Sequence, residues 1–176
     1  MSLKSNDLAL GIKHEIKQEI QFLRFYLEPE TMIMLPINQV TEVLKIPLKK
    51  IVPIAQMPAW TMGVYNWRGE ILWIADMGHL LGLSSWQEQG INHADATVII
   101  LSSPSGSKAQ GLQRKSIGLI IKNVDDIEWC NPDEIKFDLP STINRTLSSF
   151  VDGYWLNPEK GVIFIVDGKA IFRAIT

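Results

Sequence analysis

Short apolar runs separated by turn residues recur along the chain, and this pattern is typical of a protein built mainly of short β-strands. Four pairs of runs have this character: residues 21–27 with 31–37, 63–67 with 71–75, 96–101 with 116–124, and 151–156 with 161–166. Residues 125–130 are interpreted as an extension of the strand over 116–124. Residues 46–58 contain three prolines and predict an irregular connection.

Residues 58–83 (PAWTMGVYNWRGEILWIADMGHLLGL) specify one hairpin followed by a short helix. The turn is expected at Arg68 to Glu70, where Gly69 suits a positive φ that a Cβ atom would disfavour. Asp76 directly follows the second strand and is placed to cap the helix. The hairpin therefore presents an arginine at its tip, beside strongly apolar strands.

The two halves of the chain resemble each other in sequence. Two pairs of segments align without gaps: residues 33–43 with 117–127, and residues 71–76 with 162–167. The first alignment places Glu42 on Asp126, whereas no residue of the second hairpin corresponds to Arg68. Each half has four or five predicted strands, which suits a small closed barrel without free edges. A crevice between two such barrels would be a natural place for a partner to bind.

Composition and charge restrict the class of protein. The 176 residues are 46% hydrophobic and 20% charged, enough apolar material for a folded core. The net charge of −2 provides no field to attract nucleic acid or an anionic membrane. A single cysteine suits a reducing compartment, and no apolar run approaches the roughly 20 residues needed to span a bilayer. We therefore expect a soluble, cytoplasmic protein.

The sequence lacks the usual catalytic motifs. It has no nucleophile elbow, P-loop, C-x-x-C or H-E-x-x-H, and its three histidines have no metal-ligand spacing. A lyase or isomerase that used scattered Asp and His would have no constellation of residues to support it. We expect a protein without catalytic residues, metal ligands or a cofactor.

The hairpin and several other segments resemble a known family, the CheW-like domain. Residues 63–76, with Leu80 to Leu83, resemble its G-v-x-N-L-R-G-x-x-x-P-v-x-D-l-r-x-x-l-G signature. Further segments resemble its first strand, its I-x-x-V-x-E-v-l segment, its V-G-l-x-V-d-x-V-x-d-v strand and its final hairpin: residues 22–25, 37–44, 117–127 and 161–167. The resemblance covers residues 21 to about 175.

This resemblance implies a mainly β fold, in which two small five-stranded β-barrels of SH3-like type pack together with short helical turns. It places a CheW-like domain at residues 21–176. Residues 1–20 are an N-terminal tail, in which the four-residue spacing of Leu8, Ile12, Ile16 and Ile20 indicates one stripe of a helix, with a frayed tail as the alternative. The first barrel would span about 21–83, a linker 84–95, and the second barrel about 96–176.

The resemblance also implies a function without enzymatic activity. CheW-like proteins are cytoplasmic adaptors that couple methyl-accepting chemoreceptors to a CheA-type histidine kinase, at membrane-associated receptor arrays. The receptor's helical cytoplasmic tip docks in a groove between the barrels, and the kinase's own CheW-like regulatory domain packs end to end against the adaptor. Chemotaxis or pilus motility would be the output, with no nucleic acid bound and no direct insertion into the membrane.

The expected receptor- and kinase-binding residues lie at the matching positions: Val40, Glu42, Val43, Gly63, Asn66, Trp67, Arg68, Gly69, Ile121 and Val124. The four aliphatic ones are interpreted as apolar groove contacts, with burial in the barrel core as the alternative. Arg68 and Glu42 are expected to approach each other, because the matching family positions do.

Tryptophan is where the sequence departs from the family. Trp67 replaces the usual leucine, Trp73 the usual proline and Ala75 a larger aliphatic residue, and the chain has six tryptophans. Exposed aromatic rings are common in protein interfaces, and they also stack on bases or sugars. The alternative function is therefore a ligand-binding barrel pair that recognises oligosaccharide or nucleic acid through Trp67 and Trp73.

Overall fold

A computed structural model describes residues 18–89, 93–103 and 115–176. The strands in these ranges are β1 Ile20–Glu28, β2 Thr31–Pro36, β3 Val40–Pro47, β4 Thr61–Trp67, β5 Glu70–Asp76, β6 Asp95–Ser102, β7 Ser116–Ile121, β8 Asn123–Cys130, β9 Val151–Asn157 and β10 Gly161–Val166. The α-helices are short: α1 Met77–Leu80, α2 Arg145–Ser148 and α3 Gly168–Ile175. The expectation of a mainly β protein with short helical turns is confirmed.

The strands form two five-stranded sheets. The first sheet has the order β8-β1-β2-β10-β9, and the second has the order β3-β6-β7-β5-β4. Within the described residues, no strand pairing joins β8 to β9 or β3 to β4, so the closed barrels expected from the sequence are not shown.

Each sheet takes strands from both sides of residues 84–95. The sheets are therefore not the sequential ranges 21–83 and 96–176. The chain crosses from one sheet to the other after β2, through a 3-10 turn at Ile37–Gln39, and again after β7 at Lys122. The interpretation of residues 125–130 as a continuation of the preceding strand is wrong for this reason: β7 and β8 belong to different sheets.

The internal repeat is a property of the fold as well as of the sequence. Exchanging β1, β2, β3, β4 and β5 for β6, β7, β8, β9 and β10 converts the order of one sheet into that of the other. The strand register of the two sheets also agrees. Trp73 pairs with Ile117 in the second sheet and Phe164 pairs with Ile33 in the first, and the alignment of the halves places Trp73 on Phe164 and Ile33 on Ile117.

The segment predicted as a linker is held against the fold. The Trp86 side chain is buried, and its backbone N–H donates a 2.6 Å hydrogen bond to the Asp76 carboxylate. The same carboxylate caps α1, as predicted, by accepting from the His79 N–H. Burial is the main cause that raises the pKa of Asp76, against the lowering effect of these hydrogen bonds. Residues 1–17, which include most of the predicted tail, lie outside the described residues.

The largest apolar core lies between the two sheets. It combines Phe25 and Leu35 of the first sheet with Ile99 and Leu119 of the second, and Ile171 of α3 packs into it. Each sheet also has a smaller core of its own. Burial of shared apolar surface at roughly 25 cal/mol per Å² makes the two sheets one packed unit.

Candidate functional site

The β4–β5 hairpin has a two-residue turn. Trp67 pairs with Glu70, which leaves Arg68 and Gly69 between the strands with φ of 55° and 82°. Positive φ at both positions is the geometry of a type I′ turn, whose twist matches the flanking strands. The Gly69 N–H donates to the Asn66 Oδ1 at 3.0 Å, so Asn66 stabilises the turn. The prediction for Gly69 is confirmed, whereas the left-handed conformation of Arg68 was not predicted.

Arg68 contacts one residue of β3 and one residue of its own hairpin. Its Nη2 lies 2.8 Å from the Oε2 of Glu42, as expected, and its guanidinium carbon lies 4.9 Å from the centre of the Trp67 ring. The Arg68 side chain is 68% exposed and that of Glu42 is 32% exposed. At such exposure an ion pair contributes up to about 1 kcal/mol to stability. The pair therefore adds little to the stability of the fold.

This ion pair connects opposite edges of the second sheet, because Glu42 lies on β3 and Arg68 on the β4–β5 turn. The first sheet has a similar contact, between Lys160 Nζ on the β9–β10 turn and Asp125 Oδ1 on β8, at 3.6 Å. Arg68 therefore has a structural analogue in Lys160 but no sequence equivalent, because Asp125 aligns with Thr41 and not with Glu42. The two turns differ in length, so alignment of the sequences does not superimpose the two cations.

The four aliphatic candidates divide by burial. Val43 on β3 and Val124 on β8 are 38% and 37% exposed, so both present apolar surface. Val40 is half-buried and packs against the core between the sheets. Ile121 is only 1% exposed and belongs to that core, so it is not a groove contact. For Ile121 the core alternative is correct, because its strand is central in the second sheet.

Gly63 has a structural role in β4. It is buried at a φ of 134°, and a Cβ atom there would lie 2.1 Å from the carbonyl oxygen of Val52. The backbone of Val52 pairs with Val64 at this point, which explains the close approach. Only glycine fits this place, whatever partner the surface binds.

Trp67 and Trp73 lie on opposite faces of the hairpin. Side chains alternate along a strand, and the Trp67 face is the one on which Leu72 and Ile74 are buried. Trp67 packs against the core of the second sheet. Trp73 is on the outer face with Ile71, and the two are 36% and 74% exposed. The two side chains therefore leave the hairpin in opposite directions, although both residues line one surface pocket at its edge.

Comparison with known proteins identifies the family. The model of the CheW-like domain matches residues 21–176, almost nine-tenths of the chain. The chain belongs to the CheW-like domain family. Among solved structures, it is similar to the scaffolding protein TtCheW from Thermoanaerobacter tengcongensis, with a TM-score of 0.65 and 21% identity over 85% of this chain and 90% of that one. At this identity the likeness shows the fold. No match was found among curated proteins.

Membership of the CheW-like family supports an adaptor role in chemotaxis signalling, and members of this family are scaffold proteins and not enzymes. Among the residues that the structure describes, no three His, Cys, Asp or Glu side chains are grouped to hold a metal ion. Cys130 is buried, and burial, followed by the charges of Glu134 and Glu128, raises the pKa of its thiol to about 11. No helix in the described ranges is both long and apolar enough to cross a membrane.

Sequence reasoning missed one cluster of charges in this CheW-like chain. Arg24, 7% exposed in β1, donates from Nε to Asp125 at 2.6 Å and from Nη1 to Glu128, and both acceptors lie on β8. A buried arginine needs such partners, because an unpaired buried charge is costly. The sequence feature that could have revealed this cluster is Arg24 itself, the single charged residue in the apolar run QFLRFYL. If that face of the strand is buried, the arginine must pair with acidic side chains.

Proposed function

We propose that this protein is a non-enzymatic cytoplasmic adaptor that couples methyl-accepting chemoreceptors to a CheA-type histidine kinase in chemotaxis or pilus-motility signalling. The observation that carries the proposal is the contact between Arg68 and Glu42. These residues come from two separate segments of the family pattern, the hairpin and the β3 segment, and they meet at 2.8 Å. A site assembled from both segments is what an adaptor surface requires.

The adaptor would work by geometry. Receptor state would bias kinase state because both partners bind one rigid body, so that a change in one interface alters the free energy of the other. The core shared between the sheets supports such rigidity. The two ion pairs, Arg68 with Glu42 and Lys160 with Asp125, each bridge the edges of one sheet and support closure of each sheet into a small barrel.

Contact with the receptor's helical tip would use the exposed apolar positions on β3 and β8. Val43 and Val124, both exposed, would supply that surface, with Val40 as a further contact and the Arg68 hairpin as its rim. The kinase's CheW-like domain would bind elsewhere, end to end. The outer face of the hairpin, with Ile71 and Trp73 exposed, supplies an apolar surface for that contact.

A charge exchange tests the receptor site. Glu42→Arg and Arg68→Glu should each weaken capture of a purified receptor cytoplasmic fragment at least about tenfold, a loss of about 1.4 kcal/mol. The double variant should restore capture, because the pair is re-formed with reversed polarity. Lys49→Glu, an exposed charge change on the turn after β3, is the matched control and should have no effect.

Two results would decide against parts of the proposal. If the double variant stays as weak as the single ones, Arg68 contacts the receptor directly and does not act through Glu42. If the wild-type protein binds neither a CheA-type kinase nor a receptor fragment, the adaptor function is wrong.

The alternative of an oligosaccharide or nucleic-acid module has weaker support. It required Trp67 and Trp73 to act together, whereas they lie on opposite faces of the hairpin. Titration of tryptophan fluorescence with oligosaccharides and oligonucleotides should therefore give no saturable change. A saturable change that is lost in Trp73→Ala would revive this function.

A further inference from the structure

A cavity of about 480 Å³ lies where elements of the two sheets meet. Its walls are the turn before β3, the end of β6 and one face of α3, the helix that follows β10. A volume of this size is within the range of about 300–1,000 Å³ typical of ligand sites. It is too small for a whole helix and large enough for a few side chains of a docked segment.

The cavity has an apolar floor, and a hydrogen bond joins two of its walls. Leu101 is buried beneath it, and Phe172 of α3 is half-buried beside it. The side-chain oxygen of Gln39 accepts a 3.0 Å hydrogen bond from the Gly168 N–H, which ties the first turn of α3 to the turn before β3. The two walls are therefore held together by a contact between the halves of the chain.

The rim of the cavity is basic. Lys169 and Arg173 line it from the same face of α3, four residues apart, which places their Cβ atoms about 6 Å from each other. Lys169 is exposed and forms no ion pair with a described residue, and Arg173 is 74% exposed with only a 3.8 Å contact to Asp167. None of the described lining residues is acidic, although the chain has 19 acidic and 17 basic residues.

The cavity also adjoins the proposed receptor surface. Asn38 and Gln39 line it and directly precede Val40, the first residue of β3. A partner that lies along the exposed positions of β3 would therefore pass the cavity, and its acidic side chains would meet Lys169 and Arg173.

We propose that this cavity recognises an acidic, amphipathic helical segment of the receptor. One apolar side chain of that segment packs on Leu101 and Phe172, and two carboxylates one helical turn apart pair with Lys169 and Arg173. The cation spacing matches that of carboxylates at positions i and i+4 of a helix. This inference rests on the proposed adaptor function and adds to it the chemistry of the partner segment.

A designed peptide provides the direct test. The probe is an alanine-based helical peptide of about 18 residues, long enough to be helical in water, with one leucine flanked by two glutamates at i and i+4. A control peptide of the same sequence has glutamine in place of both glutamates. In fluorescence anisotropy, the wild-type protein should bind the glutamate peptide at least about tenfold more tightly than the glutamine peptide, and added salt should reduce the difference.

Protein variants locate the binding. The double variant Lys169→Glu with Arg173→Glu should lose at least about tenfold in affinity for the glutamate peptide, with no loss for the glutamine peptide. Lys49→Glu with Lys50→Glu, which changes charge equally at two exposed lysines after β3, is the control and should bind like wild type. Equal affinity for the two peptides, no binding of either one, or unchanged binding by the α3 variant would overturn the inference.

Capture of a receptor fragment separates this inference from the function on which it rests. If wild type and the α3 double variant capture the fragment equally well, the adaptor function stands and the role of the cavity is wrong. If wild type captures neither receptor nor kinase, the adaptor function fails, and the receptor inference that rests on it fails too. The peptide titration then shows whether the cavity has the proposed acid-binding chemistry.

Discussion

Two glycines of the same hairpin have different tolerances for a side chain. At Gly63 a Cβ atom would collide with the Val52 carbonyl at 2.1 Å and would be strained at a φ of 134°, whereas at Gly69 no atom lies within 4 Å. We expect Gly63→Ala to lower the free energy of unfolding by roughly 2–6 kcal/mol, the sum of backbone strain and overpacking. Urea denaturation measures this.

Gly69→Ala is the matched variant, because only the left-handed backbone opposes it. Its expected cost is about 1–2 kcal/mol. Equal losses for the two variants would contradict the close contact between Gly63 and Val52, and would leave positive φ as the sole cause.

Cys130 provides a pH-dependent prediction. Burial raises the thiol pKa from 9.0 to about 11, so the folded state favours the protonated thiol. The resulting stability is complete below about pH 9 and is lost as the pH rises through about 11. We expect the free energy of unfolding of wild type to fall relative to that of Cys130→Ala over this interval.

Labelling with a thiol reagent gives an independent measurement of the same burial. At neutral pH, Cys130 should react slowly in the folded protein and rapidly in concentrated guanidinium chloride. Fast labelling of the folded protein would show an accessible thiolate and contradict the shifted pKa.

Individual contacts could be predicted where the residues belong to a recognisable sequence motif. They could not be predicted where only the tertiary fold brings the side chains together. The contact between Arg68 and Glu42 followed from the family resemblance of two segments, and the cap at Asp76 followed from local sequence. The contact between Lys160 and Asp125 could not be predicted, because the two sequence turns differ in length. The burial of Ile121 depends on its strand being central, which alternation alone does not reveal.

At the scale of elements, the ion pairs of Arg24 with Asp125 and Glu128 join β1 to β8. In the internal repeat, Arg24 corresponds to Ile100, because both residues pair with equivalent neighbours: Arg24 with Met34 and Asp126, and Ile100 with Gly118 and Glu42. By the same alignment, Asp125 corresponds to Thr41 and Glu128 corresponds to Leu44. One half of the fold therefore uses buried charges where the other uses largely apolar side chains. Packed apolar groups can replace a buried ion cluster without loss of stability.

Removing the arginine alone should be costly. Arg24→Met is expected to lower the free energy of unfolding by about 3 kcal/mol, the low end of the range for a broken buried pair, because Asp125 and Glu128 keep 21% and 26% side-chain exposure. Chemical denaturation of the purified variant measures the loss.

The triple variant Arg24→Ile, Asp125→Thr and Glu128→Leu installs the equivalents from the other half and should recover most of that stability. If the triple variant is less stable than Arg24→Met, the two halves do not share equivalent packing at this place.

Most element boundaries were predictable, because period-two alternation and turn residues are local signals. The hairpins β4–β5 and β9–β10 agree with their predicted ranges within two residues. Assignment of strands to sheets was not predictable in the same way. The chain between β7 and β8 has one residue, Lys122, and no glycine or proline to mark the point at which it enters the other sheet.

At the scale of the whole molecule, exchange of strands makes each sheet depend on both halves of the chain. β1 and β2 complete a sheet with β8, β9 and β10, and β6 and β7 complete the other with β3, β4 and β5. The central core contains side chains from both sheets. Neither sheet can therefore form fully before chain segments from the other half are in place.

We expect both sheets to unfold in one transition. Trp155 packs in the core of the first sheet and Trp86 in the core of the second, so ¹⁹F NMR of fluorotryptophan-labelled protein can follow each sheet separately in urea. The two resonances should show the same midpoint. Ile171→Ala, which opens a cavity in the shared core at a cost of about 2–5 kcal/mol, should lower both midpoints together. Separate midpoints, or a shift of only one, would show that the sheets are independent units and would remove the rigid coupling on which the proposed adaptor depends.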